Sequence, residues 1–201
     1  YTFAQEENTD PFANLSWRSI GPVNMSGRVA DVEGVAGDPN TIYVGAASGG
    51  IWKSTNAGMT FQPIFDEAEV ASIGDLGLAP SNPEVIYAGT GESNVRNSVS
   101  IGKGVYKSTD GGKHWDHVGL GETRHISRVL VSKLDPDTVF VGALGNIYAP
   151  SEERGVFRST DGGTNWEKTL YIDEYHGVSD MEIAPDNPNI LFAAMWRFER
   201  K

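Results

Sequence analysis

Short alternating and apolar runs recur along this chain, and their repetition sets the predicted secondary structure. In four places an alternating run (strand a) leads into a turn with a proline. A run rich in Val, Ile, Tyr or Phe (strand b) then follows at 41–45, 85–89, 138–142 and 190–194. These residue types favour β-strands, and no segment shows the sustained apolar period of a helix. The pattern therefore predicts an all-β chain with little helix.

A third strand and an eight-residue unit follow strand b in the first three places. The third strand (strand c) reads Gly, apolar, aromatic, then Lys or Arg, and each octad follows it directly at 54–61, 108–115 and 159–166. An Asp or Asn in such a turn accepts backbone hydrogen bonds, and its glycines supply positive φ without steric cost. We interpret each octad as a structural turn into a fourth strand (strand d), anchored by an aromatic side chain. The residues given this role are Ser54, Asn56, Gly58, Phe61, Ser108, Asp110, Gly112, Trp115, Ser159, Asp161, Gly163 and Trp166.

Four antiparallel strands that recur about every 50 residues predict a β-propeller, in which each unit forms one blade. The predicted blades cover 28–65, 69–119 and 124–170, followed by half a blade at 178–196. A closing strand is predicted at 17–20, so one incomplete propeller of about three and a half blades would occupy 17–201. Residues 1–16 would form an N-terminal extension, and Ala4 followed by Gln5 suits the remnant of a signal peptide.

The octads resemble the Asp-box, or bacterial neuraminidase repeat, that sialidases, xyloglucanases and the sortilin ectodomain share. The wider pattern is similar to secreted bacterial propellers of the glycosyl-hydrolase-like and sortilin-like group, through the stretches 17–22, 89–92, 123–128 and 153–159. The resemblance covers residues 17–197 and implies a propeller fold in an exported protein. It implies little about activity, because the shared repeat is itself a structural turn.

Aligning the four strand-a runs on their prolines gives one shared polar column. The column consists of Asp31, Asp75, Arg128 and Asp180. Alternation along a strand places the column on one side and its neighbours in the core; these neighbours are Val32, Leu76, Val129 and Met181. Strand a is innermost in a propeller, so the column is expected to line the central channel, with Glu33 further along the same side.

Two interpretations of these acids remain open. Glycoside hydrolysis needs two carboxyl groups about 5–9 Å apart, and the candidates are Asp31, Asp75, Glu92 and Asp180. Alternatively, the acids of a wet channel are merely solvated or ion-paired. The sequence lacks features of the enzymes that share the Asp-box, and this makes a catalytic role less expected. The Arg-Ile-Pro signature of sialidases is absent, and the sequence before Gly49 and Gly50 lacks the acid of xyloglucanases.

The loops from strand b to strand c and from strand d to strand a should share one face of the propeller, opposite the octads. This loop face is where a ligand is expected. The candidate ligand-binding residues on it are Arg96, Arg124, His125, Arg128, Glu153, Arg154, Tyr175 and His176.

Composition narrows the choice of partners. The 201 residues carry 16 Lys plus Arg against 27 Asp plus Glu, a net charge of −11, which argues against a nucleic-acid ligand. No apolar run is long enough to span a membrane. Cys is absent and the His residues lack metal-ligand spacing, so we expect no cofactor or metal. The acidic turn 135–137 offers oxygen ligands for calcium but falls far short of an EF-hand pattern.

Together these features predict an exported binding or interaction module, whether secreted, periplasmic or on the cell surface, for glycans or protein segments. The first alternative is a glycoside hydrolase that uses the paired carboxylates. The second is an accessory subunit of a larger assembly. In each case the open blade edge would be covered by the remainder of the propeller or by a neighbouring chain.

Overall fold

The computed structural model describes residues 28–96 and 99–200. In this part the chain forms three four-stranded sheets and one two-stranded sheet, all antiparallel, in the order of the sequence. This architecture confirms the prediction of an all-β, incomplete β-propeller. The proposed closing strand at 17–20 and the extension at 1–16 lie outside the described residues.

Each sheet is one blade, and its strands follow one another from the inside to the outside. Blade 1 contains β1 (Val29–Gly34), β2 (Ile42–Ala46), β3 (Gly50–Ser54) and β4 (Gln62–Pro63). Blade 2 contains β5 (Ile73–Leu78), β6 (Ile86–Thr90), β7 (Val105–Ser108) and β8 (Asp116–His117). Blade 3 contains β9 (Ile126–Val131), β10 (Val139–Ala143), β11 (Gly155–Ser159) and β12 (Glu167–Leu170). Blade 4 contains β13 (His176–Ile183) and β14 (Leu191–Arg197).

A single short 3-10 turn, Gly121–Thr123, accompanies these strands in the described part. It lies between β8 and β9, at the passage from blade 2 to blade 3. No helix of residues 28–96 and 99–200 is long and apolar enough to cross a membrane.

The hydrophobic core lies between successive blades. Leu76 of strand a in blade 2 packs with Tyr43 and Ile51 of blade 1, and Val129 of blade 3 packs with Tyr87 of blade 2. Leu76, Val129 and Met181 are buried, as their alternation predicts. The expectation was wrong for Val32, which is 56 % exposed, because no described blade packs on that face of β1.

Octad side chains hydrogen-bond to their own turns. In blade 2 the Ser108 hydroxyl accepts the N–H of Gly112 at 2.9 Å and donates to the Asp110 carboxylate at 2.9 Å. The same carboxylate accepts the N–H of His114 at 3.0 Å. Equivalent bonds start from Ser54 and Ser159 in the other two octads. Through these contacts the backbone N–H groups of the tight turn, which have no strand partner, find hydrogen-bond acceptors in side chains of the same turn.

The octads also join neighbouring blades. Trp115 donates its indole N–H to the carbonyl oxygen of Ile64 at 2.8 Å, and Trp166 donates to that of Val118 at 2.7 Å. Ile64 and Val118 directly follow strand d of the preceding blade. The aromatic residue that ends these octads therefore anchors the outer rim of one blade to the next.

Glycines set the spacing between the inner strands. A Cβ atom on Gly74 would lie 1.9 Å from the carbonyl oxygen of Ile126, which belongs to the next blade. Three glycines of strand b each face an apolar side chain of the next strand a; they are Gly45, Gly89 and Gly142. A Cβ atom added to any of them would lie closer to that side chain than van der Waals contact allows. Successive blades therefore approach closely only because these positions carry no side chain.

Replacing Gly74 by Ala tests this close approach. The new methyl group would collide with backbone, which cannot rotate away, so the free energy of unfolding should fall by about 2 kcal/mol or more. The matched control is Gly34→Ala, because an added Cβ there meets nothing within 4 Å, and its effect should stay within about 0.5 kcal/mol. Urea unfolding of both variants measures the difference. Equal stability of the two variants would contradict this account of the blade spacing.

Candidate functional site

The polar column begins with a β-bulge in every strand a. The register slips between Val29 and Asp31 in β1, between Ile73 and Asp75 in β5, and between Val178 and Asp180 in β13. In β9 the slip falls at Ser127, just before Arg128. A bulge leaves one residue without a ladder partner and re-aims the side chain that follows it. Each column residue thus follows directly on an irregularity in the pairing of its strand a.

Column carboxylates bind the backbone of the following blade. The Asp31 carboxylate accepts the N–H of Leu76 at 3.1 Å, and the Asp75 carboxylate accepts the N–H of Val129 at 2.7 Å. In each case the N–H donor directly follows the column residue of the next blade: Leu76 follows Asp75, and Val129 follows Arg128. The two acids therefore cross-link blade 1 to blade 2 and blade 2 to blade 3.

Arg128 contacts the column acids of both neighbouring blades. Its guanidinium lies 3.3 Å from the Asp75 carboxylate and 3.2 Å from the Asp180 carboxylate. It also donates to the carbonyl oxygen of Met181 at 3.5 Å. The structure thus brings Asp75, Arg128 and Asp180 together. Asp75 is nearly enclosed, with 6 % of its side chain exposed, whereas Asp180 is 68 % exposed.

Burial shifts the acid–base equilibria of this cluster. Burial and the Asp31 charge raise the pKa of Asp75 to about 8, although the N–H of Val129 and the charge of Arg128 oppose the shift. Burial also raises the pKa of Asp31, and burial together with Asp31 raises the pKa of Glu33 to about 7. A carboxyl group that keeps its proton near neutral pH has the property that a general acid requires.

Glu92 occupies a different environment from the column. It follows β6, is 1 % exposed, and pairs with Arg28 and with Arg96, the latter at 3.8 Å. Its carboxylate also accepts the N–H of Ser100 at 3.4 Å. Glu92 thus fastens the loop after β6 onto the start of blade 1. Its charged partners are these arginines rather than a column residue.

Two of the residues expected on the loop face are buried. His125 is fully enclosed, its Nδ1 lies 3.0 Å from the carbonyl oxygen of Glu92, and burial together with Arg124 and Arg154 lowers its pKa to about 4. Neutral His125 therefore donates Nδ1–H to that carbonyl. Arg154, also enclosed, donates to the carbonyl oxygen of Asn146 at 2.6 Å. A ligand role for either residue stays a prediction, since both now support loops from within.

Other predicted residues of this face remain accessible. Arg96 is exposed and Arg124 is half-buried, with its backbone in the left-handed region at a φ of 60°. Tyr175 is half-buried beneath the Arg197 guanidinium, 5.4 Å from the ring centre. His176 lies 2.7 Å from the Asp173 carboxylate. Glu153 is half-buried and donates its backbone N–H to the Ser151 hydroxyl.

Three loops meet beside these residues. Ser151 donates its N–H to the carbonyl oxygen of Glu174 at 3.0 Å, Phe198 donates to that of Tyr175 at 2.9 Å, and Arg200 donates to that of Ile147 at 2.8 Å. We call residues 145–154, 171–176 and 198–200 the loop cluster. Backbone hydrogen bonds hold these three segments in one fixed arrangement.

The loop cluster exposes apolar side chains that the sequence analysis did not single out. Tyr148, Tyr171 and Ile172 are 47 %, 42 % and 51 % exposed. Aromatic residues on otherwise polar loops are a signal that the sequence contains, because exposed rings of this kind are enriched where proteins bind ligands.

Elsewhere on the molecule, a cleft of about 640 Å³ lies between the blade 2 octad and the end of blade 1, lined by Phe65, Glu67 and Trp115 among others. It includes none of the column acids. Across the described ranges, no three His, Asp or Glu side chains form a group able to hold a metal. In the acidic turn considered for calcium, the Asp135 carboxylate accepts the Thr138 hydroxyl and the N–H of Asp137.

The pH dependence of stability should reveal the shifted acid. The ordinary pKa of Asp75 is 3.8 and its folded value is about 8, so its contribution to stability is full below about pH 4 and is lost as pH rises towards 8. Asp75→Asn keeps an acceptor for Val129 but cannot titrate. Urea unfolding should therefore show a smaller decline in stability for Asp75→Asn than for the native chain between about pH 5 and pH 8. If stability declines by the same amount in both proteins, Asp75 does not titrate in this range. Asp116→Asn is the control, because Asp116 is exposed and its replacement should leave the decline as it is in the native chain.

Comparison with known proteins gives the fold but no family. No protein-family model matches the chain, and no curated protein matches it. Among solved structures, an ancestral GH74 enzyme is 24 % identical with a TM-score of 0.66, over 86 % of this chain and 22 % of that one. The GH74 xyloglucanase from Xanthomonas campestris is 17 % identical with a TM-score of 0.53, over 76 % of this chain and 22 % of that one.

A further match is to YCF48 bound to D1 peptide. It is 12 % identical with a TM-score of 0.56, and the alignment covers 80 % of this chain and 45 % of that one. The chain thus spans less than half the length of each of these three structures. At identities this low the matches support the β-propeller fold alone, which the blade architecture shows independently.

Proposed function

We propose that this chain forms part of an exported Asp-box β-propeller that acts as a binding module for protein segments or glycans at its loop cluster. The observation that carries the proposal is the engagement of the column acids. Asp31 and Asp75 both accept backbone N–H groups of the next blade, and Asp75 also pairs with Arg128. Acids used in this way support the architecture of the ring.

The Asp-box assignment rests on the octads. In each of them a Ser hydroxyl bridges the turn to an Asp or Asn two residues later. The aspartates of such turns serve the hairpin, so they supply no chemistry. Identification as an Asp-box protein is therefore compatible with a module that binds without turnover.

The loop cluster has the character of a recognition surface. It is held by backbone hydrogen bonds between loops, and it exposes Tyr148, Tyr171 and Ile172. Lys168 lies 4.9 Å from the centre of the Tyr171 ring and makes a cation–π contact with it. Rigid aromatic side chains contact peptides and the apolar faces of sugars at low entropic cost. The propeller YCF48, whose solved structure holds a D1 peptide, offers a precedent for peptide binding on this fold.

A glycoside hydrolase is the alternative function, and two observations favour it. The pKa of Asp75 is raised to about 8, as a general acid requires, and two of the matched propellers are GH74 enzymes. Against it, the neighbouring Asp31 is committed to Leu76 and the exposed Asp180 is paired with Arg128. Hydrolysis at the column would have to break these contacts.

A screen of glycans and of displayed peptides against the chain, with product release monitored, tests the proposal. We expect retention of a ligand without turnover. Tyr148→Ser combined with Tyr171→Ser should weaken that binding at least about tenfold, because large buried aromatic contacts dominate recognition. Leu134→Ser is the matched control: it removes an apolar side chain that is 77 % exposed, on the opposite face.

The possible outcomes separate the three functions. If the native chain releases sugar from a glycan and Asp75→Asn abolishes this release, the protein is a hydrolase and the proposed binding function is wrong. If the tyrosine double variant and Leu134→Ser lose binding equally, the ligand does not bind at the loop cluster. Neither binding nor turnover would favour an accessory subunit in a larger assembly.

A further inference from the structure

A continuous groove runs along the outer rim where blade 1 meets blade 2. The cleft of about 640 Å³ beside the blade 2 octad meets a second cleft of about 490 Å³. Glu67, Ala68 and Trp115 line both clefts, so the two join along these residues. We call them together the rim groove, which lies between residues 63–69 and residues 112–117. Each half is large enough to hold more than one side chain of a partner.

The aromatic ring of Trp115 forms a fixed wall in both halves of the groove. Its indole N–H is bonded to the carbonyl oxygen of Ile64, and the ring of Phe65 meets it edge-on at 5.1 Å between centroids. Phe65 is itself held by the ring of Tyr106 at 5.3 Å. Phe65 and Tyr106 are buried, whereas Trp115 is only half-buried. An oriented indole ring with accessible surface is therefore available to a partner.

Unpaired carboxylates surround this ring. Five acidic side chains line the rim groove against two lysines, and they are Asp66, Glu67, Glu69, Asp116 and Glu122 against Lys103 and Lys113. Glu69 is paired with Lys103 at 2.6 Å. The other four acids are exposed and form no salt bridge within residues 28–96 and 99–200. The groove thus keeps a surplus of negative charge beside an aromatic wall.

The fold does not require this combination of ring and acids. The octad tryptophans of blades 2 and 3 bond to the carbonyl oxygens of Ile64 and Val118 respectively, so these two residues hold equivalent places at successive junctions. Residues 65–67 are Phe, Asp and Glu, whereas residues 119–121 are Gly, Leu and Gly. The junction between blades 2 and 3 forms without the acids. Their presence at the first junction therefore points to a contact outside the fold.

We propose that the rim groove docks a basic segment of another protein, with one arginine side chain in each half. One guanidinium would lie beside Asp66 and Asp116, and the other beside Glu67 and Glu122, on the two sides of Trp115. Arginine suits the groove better than lysine, because its planar guanidinium both stacks on an aromatic face and pairs with a carboxylate through two hydrogen bonds. Two clefts joined end to end suit a chain with two cations rather than one compact cation.

This site is separate from the loop cluster. None of the residues that line the rim groove belongs to 145–154, 171–176 or 198–200. The proposal therefore does not depend on the ligand proposed for the loop cluster, and either can fail without the other.

Short labelled peptides with two arginines provide the probe. They are acetylated and amidated, with one, two or three Gly or Ser residues between the arginines, and each has a partner peptide in which citrulline replaces arginine. At low ionic strength at least one spacing should bind the full chain in a fluorescence anisotropy titration. Citrulline keeps the shape but not the charge, so it should weaken binding at least about tenfold. The bound arginine peptide should slow hydrogen exchange at residues 64–69 and 113–117.

Paired acid variants test the position of the site. Glu67→Gln combined with Asp116→Asn should weaken binding about three- to tenfold, because each exposed ion pair contributes modestly. The matched control is Glu167→Gln combined with Asp186→Asn, which removes the same charge elsewhere and should change binding less than about twofold. Glu167 holds in blade 3 the place that Asp116 holds in blade 2, opposite the cation of strand c. All four side chains are exposed, so both proteins should fold.

A lysine variant should act in the opposite direction. Lys113 is the unpaired cation of the groove, so Lys113→Gln should strengthen binding of the arginine peptide about two- to threefold. Lys133→Gln, an exposed lysine outside the groove, should leave binding as it is in the native chain.

Four results would overturn the proposal. The first is no binding at any spacing, and the second is equal binding of the arginine and citrulline peptides. The third is equal weakening by the two pairs of acid variants, which would show attraction to the overall charge of −11 instead of to the groove. The fourth is slowed exchange at 145–154 in place of 64–69 and 113–117, which would assign the peptide to the loop cluster.

Discussion

The structure depends on one repeated hydrogen bond, from a backbone N–H in one inner strand to a column carboxylate of the preceding blade. Asp31 makes it with Leu76 and Asp75 makes it with Val129. At the third junction Arg128 replaces the acid and reverses the polarity, donating to the carbonyl oxygen of Met181. A buried backbone N–H that lost this acceptor would carry the cost of its desolvation without compensation. The bond fixes how far each blade rotates about the channel relative to its neighbour.

This constraint separates the structural chemistry of the molecule from the surface available for function. Acids that hold the blades together are costly to recruit for catalysis, since moving Asp75 would leave the buried N–H of Val129 without its acceptor and would break the contact with Arg128. The raised pKa of Asp75 has the same origin, because burial between blades penalises its charge. Loops that carry no such task, above all the loop cluster, remain free to recognise a ligand.

Much of the fold follows from local sequence, and much of the site does not. Alternation, the prolines and the octads predict the repeated four-stranded unit, and the structure confirms the incomplete β-propeller. The partners of the column acids are non-local, because each lies about 45 to 55 residues away in the next blade. His125 and Arg154 are buried, and this too is non-local: His125 contacts the carbonyl oxygen of Glu92, 33 residues earlier. Position in a loop predicts exposure but does not show which other segments pack against the side chain. Val32 was expected in the core, and its exposure reflects the absence of a described neighbour rather than its own pattern.

The same reasoning indicates that the junction at β14 differs from the others. Gly45, Gly89 and Gly142 each receive an apolar side chain of the next inner strand, where an added Cβ would lie 2.4 to 2.7 Å from that side chain. The equivalent position in β14 is Ala194, which already carries that methyl group. A blade that packed on β14 as the others pack would need a smaller residue than Ile or Val at the contact, or a wider spacing.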